Sequence, residues 1–176
     1  AYYERAGGAR IRFWWELVGG AVPYPVVPAP SPVPAPVTLG PWQGEYFNNR
    51  DLSGSPTVVR SDAAVDFNWG WAAPVSGVGS DNFSVRWTIS REVPAGIYRF
   101  TGTFDNGVRL WVDDVLIADK WVEAPVGTDS VDVNLAAGSH TVRLEYFHTT
   151  GPAVALLLVT ARVSVQNKTN SRSRER

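Results

Sequence analysis

Few side chains in this sequence can do chemistry. The imidazoles are His140 and His148. On a strand-like run they stand about 25 Å apart at roughly 3.3 Å per residue, too far to share a metal. Ser139 precedes His140, but neighbouring strand residues point to opposite faces, so the two make no nucleophile–base dyad. Asp113-Asp114 resembles an acid pair, yet between two alternating runs it reads as a tight hairpin turn. No GxSxG, HExxH or phosphate-cradling glycine loop occurs. Cysteine is absent, which excludes disulfides and thiolate chemistry. The chain is therefore read as non-catalytic. Asp105-Asn106 remains, a pair of hard oxygen donors of the kind calcium takes. The same pair also suits an Asx-type turn joining two strands.

Positioning such a pair requires a scaffold, and the sequence describes one. Of 176 residues, 44% are hydrophobic and 12% aromatic. That supports one domain of roughly 100–150 residues with a sizeable core. A net charge of −1 gives no reason to expect nucleic acid or an anionic membrane as partner. No run of about 18 apolar residues is present, so no membrane insertion is expected. Ala1 reads as a processed or internal start, consistent with a secreted or cell-surface protein.

Four regions differ in texture: an aromatic, Arg-rich block at 1–20, a Pro-rich linker at 21–41, a strand-like region at 42–166 and a polar basic tail at 167–176. In the linker, prolines at nearly alternate positions remove amide donors and fix φ, so the tract is expected neither to pair in a sheet nor to form a helix. A semi-rigid polyproline II spacer, on the order of 40 Å from Pro23 to Pro36, is expected, with a recognition role as the other reading.

Beyond Trp42 the pattern has period two. Asn82–Ser90, Tyr98–Phe104, Val108–Val112, Val115–Ile117 and Thr141–Phe147 read as strands, and Asp105-Asn106-Gly107 and Ala137-Gly138-Ser139 as turns. Turn signals about every ten residues predict an all-β, antiparallel two-sheet β-sandwich. Its expected core includes Phe47, Phe83, Val85, Trp87, Phe100, Leu110, Leu144 and Tyr146. The sequon Asn82-Phe83-Ser84 falls inside a predicted strand and is assigned to packing.

Four stretches in order, WQGEYF from Trp42, DNFSVRWT from Asp81, FDNGVRLWVD from Phe104 and TVRLEYF from Thr141, resemble the protective-antigen (PA-fourteen) family over residues 42–163. In sugar-binding members, the resemblance implies, two successive aspartates, often joined by a cis peptide, hold a calcium that takes two sugar hydroxyls. Here that loop is Asp105-Asn106, with Asp105 as the metal ligand. Asn106 departs from the pattern, supplying an amide oxygen without charge. No cofactor is required otherwise.

A second likeness lies within the chain. Tyr2 and Tyr3, with Gly7 and Ala9, repeat the spacing of Tyr146, Phe147, Gly151 and Ala153, so residues 1–16 look like an orphan end-strand of the same family. Ile11 and Phe13 alternate with Arg10 and Arg12, and Trp14 and Trp15 follow. Leu156 and Leu158 sit in a continuous apolar run, which implies either a cover from another segment or burial between two sheets. Two functions follow. One is a structural subunit of an extracellular fibre or surface polymer, in which Tyr2, Tyr3, Ile11, Phe13, Trp14 and Trp15 add as a strand to a homo-oligomer partner or adjacent repeat, against Leu156 and Leu158. The other is a calcium-dependent adhesion module for cell-surface glycans.

Overall fold

A computed structural model of the chain describes residues 35–163. They form eleven strands and no helix: β1 (Ala35–Pro36), β2 (Trp42–Phe47), β3 (Val58–Asp62), β4 (Asp66–Gly70), β5 (Phe83–Val93), β6 (Gly96–Phe104), β7 (Gly107–Val112), β8 (Val115–Lys120), β9 (Gly127–Leu135), β10 (Gly138–His148) and β11 (Ala153–Val163). The first sheet runs β1-β11-β6-β9, with β4 also on β11; the second runs β3-β2-β5-β10-β7-β8. The architecture is the expected antiparallel two-sheet sandwich.

Alternation explains which side chains meet. On β5, Phe83, Val85, Trp87 and Ile89 are buried; on β10, Val142, Leu144, Tyr146 and His148 are. Neighbouring strands keep the same face because β5 and β10 pair in register, with Leu144 opposite Trp87 and Tyr146 opposite Val85. The eight expected core residues are all buried. Phe47 nevertheless lies outside the inter-sheet cluster. It ends β2 on the outer side, where the Arg86 guanidinium stands 5.8 Å from its ring.

The apolar run of β11 belongs to a strand paired on both edges. Ala153, Ala155, Val159 and Ala161 are buried toward the core. Leu156 is half-buried, and Leu158 is 54% exposed on the other face. One edge of β11 pairs with β6. The second edge is taken by β4 over Ala153–Leu156, by Val65 at Leu157, by Val37 at Val159 and by β1 at Thr160–Ala161. The last part of the proline tract thus does join a sheet, as a two-residue edge strand. An edge is where a residue lacking N–H is tolerated.

A buried charge fastens the edge strand β3. Asp62 is 5% exposed. Its carboxylate accepts from the Tyr46 hydroxyl (2.6 Å), Trp87 Nε1 (2.8 Å) and Arg60 Nε (2.6 Å). Burial, then the neighbouring Asp62, pushes the Tyr46 hydroxyl far above its ordinary range. Room for the carboxylate comes from Gly44, where a Cβ would fall 2.4 Å from Asp62 Oδ2.

At the far end of the β7–β8 hairpin, Asp113 (φ 48°) and Asp114 (φ 61°) form the expected turn, both left-handed. Asp113 is held there by its own carboxylate, which accepts the Thr141 N–H (2.9 Å) and faces His140 Nδ1 at 2.5 Å. His140 Nε2 faces the Ala136 carbonyl at 3.1 Å. Both imidazole nitrogens therefore face acceptors, which favours the doubly protonated ring.

Two outcomes follow. Asp62→Ala leaves a buried hydroxyl and a buried indole N–H without their acceptor, so it lowers stability by about 3 kcal/mol in urea unfolding. The hydrogen bond to Asp113 raises the His140 pKa above its ordinary value. The pair's stabilisation is present below the unfolded-state pKa, about 6.5, and is lost as pH rises through the raised folded-state value. An NMR titration should place the His140 midpoint above 6.5, and Asp113→Asn should move it back down.

Candidate functional site

Gly107 opens β7 directly after Asp105-Asn106. A Cβ there would fall 2.0 Å from the Phe147 ring, so glycine lets that ring lie flat over the strand. Trp121, in the β8–β9 connection, meets Phe147 edge-on with centroids 4.8 Å apart. The Arg109 guanidinium lies 4.0 Å above the Trp121 ring. An aromatic corner thus forms on the outer side of the six-stranded sheet.

Asn106 ties three connections together. Its Oδ1 accepts the Thr149 N–H at 2.7 Å and the Thr149 hydroxyl at 2.9 Å. Its Nδ2 donates to the Ala124 carbonyl at 3.1 Å and to Asp105 Oδ1 at 3.2 Å. An aspartate could accept from Thr149 but could not donate to Ala124. The Asp105 carbonyl is held in turn, accepting from the Tyr146 hydroxyl at 2.5 Å and facing His148 Nδ1 at 3.3 Å.

Beside this tie opens a cleft of about 620 Å³, bounded by Asn48, Asn49, Asp51, Asn82, Trp121 and Glu123, with Arg50 and Phe147 completing it. Its walls are braced from behind. Asn48 donates to the Gly77 carbonyl and accepts the Gly79 N–H, both at 2.8 Å. Asn49 and Asp51 both cap the Ser53 N–H at 3.3 Å. Arg50 and Glu123 approach to 3.9 Å, both well exposed. Leu52 (φ 60°) and Asn82 (φ 55°) hold left-handed backbone around the cleft. For a buried leucine that conformation is costly, and such strain gathers at functional sites. Asn82 is exposed just before β5, not packed inside a strand as its sequon was read.

The arrangement of rings, amides and carboxylates can bind and orient a ligand. The calcium reading fits poorly: the Asn106 oxygen already accepts two hydrogen bonds, and Asp105 Oδ1 faces an amide N–H. No group of three His, Cys, Asp or Glu placed to hold a metal occurs among the described residues. The cis peptide among the described residues joins Gly40 and Pro41, not Asp105 and Asn106. Of the residues singled out by sequence, Asp105 and Asn106 adjoin the cleft. Leu156 and Leu158 lie on the five-stranded sheet away from it. Tyr2, Tyr3, Ile11, Phe13, Trp14 and Trp15 lie outside the described residues. Sequence reasoning passed over Trp121, Glu123, Asn48, Asn49 and Asp51. Its available signal was a tryptophan two residues before a glutamate in the connection between two strands.

Comparison with known proteins agrees with this geometry. The family profile described as "PA14 domain" matches residues 40–174. Anti-sigma-I factor RsgI3 of Acetivibrio thermocellus is 40% identical over 118 residues, covering 66% of this chain and 18% of that protein. The chain thus spans less than a fifth of that curated relative. An anti-sigma factor domain-containing protein from Clostridium clariflavum superposes with a TM-score of 0.64 at 38% identity, over 70% of this chain and 42% of that one. A PA14 sugar-binding domain from an RTX adhesin superposes at 0.54 with 17% identity, covering 70% of this chain and 91% of that one; it shares the fold.

These relatives correct the expected function. Proteins at 38–40% identity carry regulatory names, not those of fibre subunits or adhesins. The fibre reading also needed an acceptor at Leu156 and Leu158, where β11 already has hydrogen-bonded partners on both edges.

The tie gives a direct outcome. Asn106→Asp removes the donor to Ala124 and sets a carboxylate oxygen against that carbonyl. Stability should fall by about 1–2 kcal/mol, read by chemical denaturation.

Proposed function

We propose that this chain, which belongs to the PA14 domain family, is the ligand-sensing domain of a larger regulatory protein of the anti-sigma-factor kind, and that its ligand is a carbohydrate held in the Trp121 cleft. The observation that carries this reading is the cleft itself: an indole and a phenyl ring beside amide and carboxylate side chains on braced loops. A sugar ring presents C–H groups on its faces and hydroxyls on its rim, and that combination answers both kinds of wall. Polar groups fixed by their surroundings orient a ligand, while the apolar surface supplies contact area.

The regulatory half of the reading rests on likeness to Anti-sigma-I factor RsgI3. Sensing requires recognition of a ligand, which suits a cleft whose walls are held by hydrogen bonds from behind. Because Asn106 performs by hydrogen bonding the loop-fastening a cation would otherwise supply, recognition proceeds without calcium. No helix among the described residues is long and apolar enough to cross a membrane. In this reading the cleft faces the cell exterior, where polysaccharide is met, and a further part of the protein passes the signal on.

Calorimetric titration of the 176-residue chain against a panel of soluble plant and microbial polysaccharides tests the reading. One or more should bind, and binding should persist in EDTA. Trp121→Ala should weaken binding at least tenfold, about 1.4 kcal/mol, with an unchanged melting profile. Absence of binding across the panel, or full retention by Trp121→Ala, would reject the cleft as the site.

A further inference from the structure

The outer face of the six-stranded sheet is not a plain solvated surface. Its central carboxylate, Glu145, is 5% exposed although it points away from the core. Arg86 Nε donates to it at 3.0 Å and Arg109 Nη2 at 2.9 Å. Arg86 also reaches Glu45 at 3.3 Å. One step along the strands, Arg143 and Trp111 are register partners. The Arg143 guanidinium lies 4.2 Å over the Trp111 ring, and Arg109 stands 5.4 Å from the same ring.

Arg143 differs from its neighbours. Its nearest carboxylates, Asp114 and Glu145, stand at 3.8 and 4.0 Å, beyond hydrogen-bonding reach. Stacking on an indole holds the plane of the guanidinium while leaving its forked donors unused. Trp111 is half-buried, so part of its ring remains accessible.

This row continues from the cleft. Trp121 bounds the cleft and also lies under Arg109, which in turn reaches Trp111. From the Phe147–Gly107 pair to the Arg143–Trp111 pair is four residues along β10, about 13 Å at 3.3 Å per residue. We propose that Trp111 and Arg143 form a second recognition surface, continuous with the Trp121 cleft, that takes the continuation of an uncharged polysaccharide chain whose first unit occupies the cleft. The proposal rests on the cleft being a carbohydrate site. Charge favours a neutral chain over a polyanion, because Arg86, Arg109 and Arg143 are matched by Glu45, Glu145 and Asp114. What remains is donor capacity on Arg143 and the exposed part of the Trp111 ring, the complement of hydroxyl oxygens and ring C–H groups.

The test is a chain-length series. The 176-residue chain is titrated with size-fractionated neutral glucose- and xylose-based oligosaccharides, from disaccharide to octasaccharide, and with oligogalacturonides as the anionic counterpart. Affinity for the neutral series should rise with length and then level off. Trp111→Ala and Arg143→Gln should each reduce long-chain affinity about tenfold, to the short-chain level, leaving short-chain affinity unchanged. Trp111→Phe, which keeps a ring, should retain much of the length dependence and guards against loss of fold, checked by thermal melting. Short saccharides that bind with no gain on lengthening would overturn this second surface and leave the cleft standing. A salt-sensitive preference for oligogalacturonides would overturn the neutral-chain assignment. If no saccharide of any length binds, the cleft reading fails and this one with it.

Discussion

One side-chain amide sets the geometry at the cleft end of the sandwich. Asn106 accepts from Thr149 and donates to Ala124, so three connections separated in sequence become one braced unit. Neither an aspartate nor a simple hydroxyl has both an acceptor and a donor at that reach. The residue that departs from the family's paired-aspartate pattern is therefore the one the local hydrogen bonding requires. A loop fastened this way is held by hydrogen bonds from both sides of one amide.

The same strands serve two purposes by alternation. Along β10, Leu144 and Tyr146 enter the core while Arg143, Glu145 and Phe147 face outward. Aromatic packing beneath, where Trp69 and Phe83 contact Tyr146, fixes the strand that presents the arginine-covered carboxylate above. Burying Glu145 on an outer face demands cations close by, and two arginines meet that demand. Order on the outer face is thus inherited from order in the core.

Strands β5 to β8 and β10, the β7–β8 hairpin and the eight buried residues named from alternation were legible in the sequence because each depends on period-two alternation and local turn chemistry, whereas β1, β3 and β4 were not foreseen. Asp113-Asp114 is a clear example: a turn signal between two alternating runs becomes a left-handed hairpin. The cleft was not legible, since Asn48, Asn82, Trp121 and Phe147 are brought together only by sheet topology. Asn106 looked like a weakened ligand because its partners, Thr149 and Ala124, are invisible to local reading. Leu156 and Leu158 looked like a surface awaiting a partner strand. Instead β11 is an interior strand, with β6 on one side and β1 and β4 on the other, so it offers no free edge, while Leu158 stays exposed on the outer face. Phe47 shows the converse: its burial was foreseen, but parity places it under Arg86 outside the inter-sheet cluster.

The short pairing of β1 with β11 has a mechanical consequence. The chain enters the sandwich at Ala35 along the outer edge of β11, held by the Ala35–Pro36 ladder and by the Val37 N–H to the Val159 carbonyl. Traction from the N-terminal side loads that brief seam first, and its bonds break in succession like a peeled strip. Behind it along the chain lies β2, held in the other sheet by its ladders to β3 and β5. The strand met after the seam is β2, which leads directly into the cleft residues Asn48 to Asp51, so the seam is the short fastening that stands between the N-terminal side and the cleft.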